Sequence, residues 1–234
     1  GGIAIDANKT LKMWGKNMAM NGAPGSGLPQ ALRNVSGNNA WNGNILISAV
    51  GGSYGVESAA GTLTLGADTS TTSVIRNDVG ASTRYFSFFG AGNFVVNSKI
   101  ADNDDKNIIL NKVSTGTLVI NRDDNNFDTA ANLFAGTTEV SSFGSTSGAG
   151  ALGVAAGYNL GSTLRYTGPG EFSDKTLNLL PTGGTLDASG SGALDLHSMA
   201  FVHHAGITAT VVAPFGNGAT SLVINDAAGI AVGQ

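Results

Sequence analysis

The sequence predicts an all-β protein, a single-stranded β-solenoid (β-helix), on three observations. Charged residues make up only 12% of the 234 residues while 35 are glycine, a balance that suits short strands and turns rather than helices. The stretch from Leu110 to Leu152 reads strand, turn, strand, turn. In it Gly116 opens G-T-L-V-I, with Leu118 and Ile120 on one side and Thr117 and Val119 on the other, until the polar cluster Asn121 to Asn126 breaks the run. Gly136 opens the next such run, Thr137 to Val140, 20 residues later, the length of one small rung in a stacked protein. A β-sandwich, also built of short strands and turns, is the alternative architecture.

Taken in order, Gly2 to Ile5 gives a first short alternating strand. Lys9 to Met20 concentrates Met, Trp and Lys, and reads as a cap over the stack, a contact surface, or a plug for the first layer's core. Asn21 to Gly43, rich in Gly, Pro and Asn, reads as an irregular loop. From there a glycine repeatedly precedes a short alternating run: Gly43, Gly61, Gly92, Gly116, Gly136, Gly161, Gly184, Gly206 and Gly218. Their successive separations are 18, 31, 24, 20, 25, 23, 22 and 12 residues, an irregular solenoid period centred in the low twenties. A rung of that size cannot bury its own apolar side chains, but stacked rungs bury a continuous column. Leu63, Leu65, Phe94, Val96, Leu118, Ile120 and Leu164 are expected to supply it, with Thr, Ser and Asn outward and glycines at the corners. The expected division is residues 1–42 as N-terminal strand, cap-like segment and loop, 43–217 as solenoid body, and 218–234 as a C-terminal strand segment.

The net charge of −4 argues against a nucleic-acid binder, which would normally show a basic stripe, and no apolar run is long enough to cross a membrane as a helix. The absence of cysteine removes thiol chemistry and is compatible with an oxidising, extracellular setting. The opening G-G-I-A-I-D-A lacks the features of a signal peptide, so the sequence reads as a processed or trimmed piece of a longer chain.

The run L-N-K-V-S-T-G-T-L-V-I-N, followed by N-N-F and A-G-T-T-E-V, resembles the autotransporter-associated β-strand repeat. Trp41-Asn42-Gly43-Asn44, Gly61-Thr62-Leu63-Thr64-Leu65 and the segment Ser162 to Leu179 resemble its flanking repeats, so the likeness spans Trp41 to Leu196. It departs from the family at D-T-A-A-N-L-F, where a Gly-rich turn is usual, and across Ser70 to Gly90. The resemblance implies a right-handed β-helix belonging to a large bacterial surface or secreted protein, adhesive or structural in role.

Several strings mimic catalytic motifs. Gly148-Ala149-Gly150-Ala151-Leu152-Gly153, with Glu171 downstream, matches a dinucleotide fingerprint but lacks the strand before and helix after that hold a pyrophosphate. Gly51-Gly52-Ser53-Tyr54-Gly55 matches a nucleophile elbow, again without its helix. The acidic turns Asp102, Asp104, Asp105 and Asp123, Asp124, Asp128 read as solvated; calcium binding or a paired-carboxylate glycosidase are the alternatives. His203 and His204, adjacent in an extended run, point to opposite faces and cannot share a metal, and His197 is the only other histidine. No catalytic residue, metal ligand or cofactor is therefore assigned.

The expected function is a structural or adhesive solenoid of a bacterial surface, extracellular or secreted. A carbohydrate-active lyase or glycosidase, or a glycan-binding module, is the alternative. Tyr85, Phe86, Phe88 and Phe89 form the only dense aromatic group for a glycan, and part of it is needed for the core. The expected partners are copies of the chain itself, joined end to end into a filament, and surface glycans. Assembly is assigned to the terminal strands and the Met/Trp segment: Gly2, Ile3, Ile5, Met13, Trp14, Leu222, Ile224, Ile230 and Val232.

Overall fold

A computed structural model describes residues 32–48, 53–70, 72–78, 80–155 and 157–196, and the backbone of strands at 3–5, 10–11, 17–20, 201–202 and 209–212. All the described regular structure is β, and every pairing between its strands is parallel. The chain coils as a β-solenoid, and the parallel pairing removes the β-sandwich alternative, whose strands run antiparallel. Two sheets of nine strands form two sides of the coil. The first runs from Ile3–Ile5 through Arg84–Phe89, Ile108–Lys112, Ala130–Leu133, Gly157–Leu160 and Thr176–Leu179 to Phe201–Val202. The second runs from Thr10–Leu11 through Thr62–Leu65, Asn93–Val96, Thr117–Ile120, Thr137–Val140 and Thr163–Tyr166 to Ala209–Val212. A third, four-stranded sheet closes the early coils: Asn17–Met20, Asn44–Ile47, Val74–Asn77 and Lys99–Ala101.

The period follows from the register. Along the second sheet, from Asn38, paired residue numbers differ by 24, 31, 24, 20, 26, 22 and 25. The Gly-led series from Gly61 to Gly184 therefore follows this sheet, and Gly206 and Gly218 lie outside the described residues. The first member, Gly43, does not follow it. The run after Gly43, Asn44–Ile47, lies in the third sheet, and the strand stacked on Thr62–Leu65 is Asn38–Trp41, led by Gly37. Asn38–Trp41 and Leu32–Asn34 both fall within the stretch expected to be irregular loop. Their asparagines are structural: buried Asn39 donates to Asn34 Oδ1 at 2.6 Å, and Asn34 donates to the Ala60 carbonyl on the next coil at 2.8 Å.

Alternate residues of both long sheets point inward, as the period of two requires. Leu63, Leu65, Phe94, Val96, Leu118, Ile120 and Leu164 are all buried, as expected from the alternation. Inward aromatic side chains also meet edge to face within one coil: Phe86 and Phe88, two apart on one strand, at 5.3 Å between centroids, and Phe88 with Phe94 of the following strand at 5.1 Å.

The corner between the long sheets is a column of glycines. A Cβ on Gly61 would lie 2.1 Å from the Gly37 carbonyl oxygen, one on Gly116 2.3 Å from that of Gly92, and one on Gly136 2.4 Å from that of Gly116. Gly37, Gly61 and Gly136 have positive φ; Gly92 and Gly116 do not. The glycine-led pattern thus records close approach of stacked backbones as much as left-handed turns.

After Lys99–Ala101 the third side changes character, and Asn125 makes the change. Its Oδ1 accepts the Ile100 N–H at 2.8 Å and its Nδ2 donates to the Ala151 carbonyl at 2.7 Å, so one buried side chain replaces a strand's hydrogen bonding to the coils on either side. Phe127 and Phe143 fill the interior behind it.

Candidate functional site

The chemistry-bearing side chains lie in three settings: outward rows of the sheets, buried corners, and the acidic turns. In a parallel stack each outward residue sits roughly 4.8 Å from its register partner, close enough for direct bonding between coils. On the first sheet this produces an asparagine ladder. Asn132 Nδ2 donates to Asn111 Oδ1 at 2.8 Å, Asn159 to Asn132 at 2.6 Å, and Asn178 to Asn159 at 3.1 Å. On the second sheet Arg165 bridges Glu139 at 3.5 Å and Asp187 at 2.8 Å, on the coils to either side. The ladder was within reach of the sequence, where L-N-K, A-N-L, Y-N-L and L-N-L place Asn at the same strand position.

Among the described residues two lysines, Lys112 and Lys175, are fully buried, and composition gives no sign of either. Lys112 occupies the inward position that Phe88 fills one coil earlier and Leu133 one coil later. Its ammonium donates to the carbonyls of Ser114, of Gly116 at 2.8 Å and of Ala135 at 2.9 Å. Lys175 donates to the Gly153 carbonyl at 2.5 Å and lies over the Tyr158 ring, 5.2 Å from its centroid. Burial pushes both ammonium groups down to about 8; Asp174 and Glu171 oppose that shift at Lys175.

The acidic residues are engaged by turns and ion pairs. Asp102 accepts the N–H groups of Ile108 at 2.7 Å and Asp128 at 2.8 Å, and burial, with nearby Asp128, pushes it up to about 6 against those hydrogen bonds. Asp104 lies at a hairpin tip closed by an Asn103–Lys106 bridge and has a positive φ of 56°. Asp124 pairs with Arg122 at 2.6 Å and Lys99 at 3.5 Å, and the Arg122 bond holds it down at about 2. Among the described residues no three His, Asp or Glu side chains are grouped to hold a metal ion.

The motif-like strings take other roles. Ser53-Tyr54-Gly55 is strand, with Tyr54 in the core and the Phe89 ring against Gly55. In the glycine-rich string, Ala151 and Leu152 are fully buried and Gly150 lies against the backbone of Phe143. Glu171 accepts from Ser142 Oγ at 2.9 Å and from the Phe143 N–H, fastening that loop to the next coil. Of the aromatic group, Phe86 and Phe88 are core, while Tyr85 is exposed.

Of the residues assigned to assembly, Ile3 and Ile5 lie in the strand Ile3–Ile5, outermost in the first sheet among the described residues. Gly2, Met13, Trp14, Leu222, Ile224, Ile230 and Val232 lie outside the described residues, as do His197, His203 and His204 as regards their side chains. No family model, curated protein or solved structure matches the chain.

Proposed function

We propose that this chain is a structural and adhesive rod segment of a bacterial extracellular or surface protein. The observation that supports this most directly is that polar side chains are spent on joining coil to coil: the asparagine ladder, the Glu139–Arg165–Asp187 row and the buried lysines each cross a coil boundary. A rod that transmits load or spaces a binding face needs such coupling, whereas each coil alone has no core of its own. The resemblance to autotransporter-associated repeats supports the bacterial surface setting.

The rod associates end to end with other copies. The strand Ile3–Ile5 offers an outer backbone edge with no partner strand among the described residues, and such edges template further parallel pairing. Growth through a contact that does not close is open-ended. Negative-stain imaging of the purified chain tests this, with a deletion of residues 218–234 alongside. Filaments that vanish in the deletion, with the β circular-dichroism signal retained, assign the far end of the contact to Leu222–Val232. Filaments that persist in the deletion remove that segment from the contact. An intact chain that stays monomeric at high concentration overturns end-to-end association. Turnover of any member of a polysaccharide panel would overturn the structural reading itself.

A further inference from the structure

From Arg84–Phe89 to Thr176–Leu179, the outer face of the first sheet consists of three parallel rows. The middle row is Ser87, which is buried, followed by the half-buried ladder Asn111, Asn132, Asn159 and Asn178. One flank carries Tyr85, Ile109 and Ala130 in register. The other carries Phe89, Val113 and Phe134. The hydrogen bonds from Val113 N–H to the Phe88 carbonyl at 3.1 Å and from Phe134 N–H to the Lys112 carbonyl at 2.9 Å hold these last two in the stack just beyond the strands. Tyr85 is 39% exposed, Val113 40% and Phe134 44%, so the flanks present apolar surface on either side of the amide row. The three rows contain no charged residue.

We propose that this face binds a neutral, linear polysaccharide lying along the solenoid axis. Each interior ladder asparagine uses one amide N–H and one carbonyl lone pair within the ladder, leaving one donor and one acceptor for a ligand. A hydroxyl-bearing sugar needs that pairing, while the exposed rings of Tyr85 and Phe134 suit the apolar face of a pyranose. Donor–acceptor sets recur roughly every 4.8 Å along the axis, close to the repeat of an extended chain of pyranose rings. The lack of a cation on the face favours a neutral glycan over a uronic-acid or sulfated one. Area argues against a second copy as the occupant. Five strands of about five residues span roughly 400 Å², so two such faces would bury about 800 Å² together, below the ~1,200 Å² of a stable protein interface. A polymer gains affinity by repeating weak contacts along the ladder instead.

The test is affinity electrophoresis of the intact chain through gels containing linear glucan, xylan, mannan or galactan, with alginate as the anionic comparison. The double variant Tyr85→Ala/Phe134→Ala changes exposed side chains, so circular dichroism should match the parent. Retardation by at least one neutral polymer, weakened about tenfold or more in that variant, is expected. No retardation by any neutral polymer, retardation by alginate alone, or equal retardation of parent and variant overturns the proposal. So does a dimer, seen by sedimentation without polysaccharide, that the double variant abolishes, because the face would then be an interface between copies. This outcome is independent of the end-to-end contact, which lies at the coil ends and not on this face.

Discussion

The Lys112 ammonium donates to the carbonyl of Ala135, 2.9 Å away on the next coil, from a side chain that starts in the inward column otherwise filled by Phe88 and Leu133. A charge thus sits where packing alone would place a hydrocarbon, because the corner carbonyls of Ser114, Gly116 and Ala135 converge on it. Lys112→Met should destabilise the chain by about 2 kcal/mol at pH 7, since orphaned carbonyls cost more than the relieved ammonium burial returns. Denaturant midpoints measure this, and a more stable variant would show that ammonium burial dominates.

The same lysines give alkaline pH a definite sign. Both are pushed down to about 8 from 10.5, so between these values the unfolded chain holds more protons than the folded one. Stability through these groups therefore rises with pH across that window, by at most about 1.4 kcal/mol per pH unit for each lysine. Lys112→Met should show a shallower rise than the parent between pH 8 and 10. Equal slopes would remove Lys112 from the effect.

Thr138 stands in the inward column between Leu118 and Leu164, fully buried, and its hydroxyl has no hydrogen-bond partner. Thr138→Val keeps the shape and removes the stranded polar group, so it should stabilise by about 1 kcal/mol. A loss of stability on thermal or denaturant unfolding would mean that the hydroxyl is satisfied in solution.

Gly116→Ala should cost about 3 kcal/mol, because the new methyl would meet the Gly92 carbonyl oxygen, a backbone atom that cannot swing aside. Gly148→Ala is the matched control. Its nearest neighbour is the Ser145 hydroxyl at 3.1 Å, a movable side chain, and a change within about 0.5 kcal/mol is expected. Similar losses at both positions would contradict the glycine column.

Asn132→Ala removes two rungs of the ladder at once, those to Asn111 and Asn159. A loss of about 1–2 kcal/mol is expected, half-buried amide bonds being worth less than buried ones. Asn178→Ala breaks only the bond to Asn159 and should cost less. Equal costs would show that the asparagines act singly.

What the sequence determined by itself is the local grammar of the chain. Alternation at Leu118 and Ile120 or Leu63 and Leu65 depends only on the strand's period of two, and the core follows it residue by residue. The glycine spacing from Gly61 to Gly136 matches the coil length for a similar reason, since Gly61, Gly92, Gly116 and Gly136 stack in one corner. The tertiary structure decided everything that depends on register. Asn44–Ile47 reads as a Gly-led strand and Asn38–Trp41 as part of a loop, and only stacking makes both strands and sends the former to the third sheet and the latter to the second. Lys112 looks like a surface lysine until its strand pairs on Phe88, and Asn125 looks like a turn residue until Ile100 and Ala151 stand on either side of it. Hydrogen bonds between neighbouring coils join residues about 19 to 31 positions apart, and the variable corner lengths between them are settled only when the coils stack.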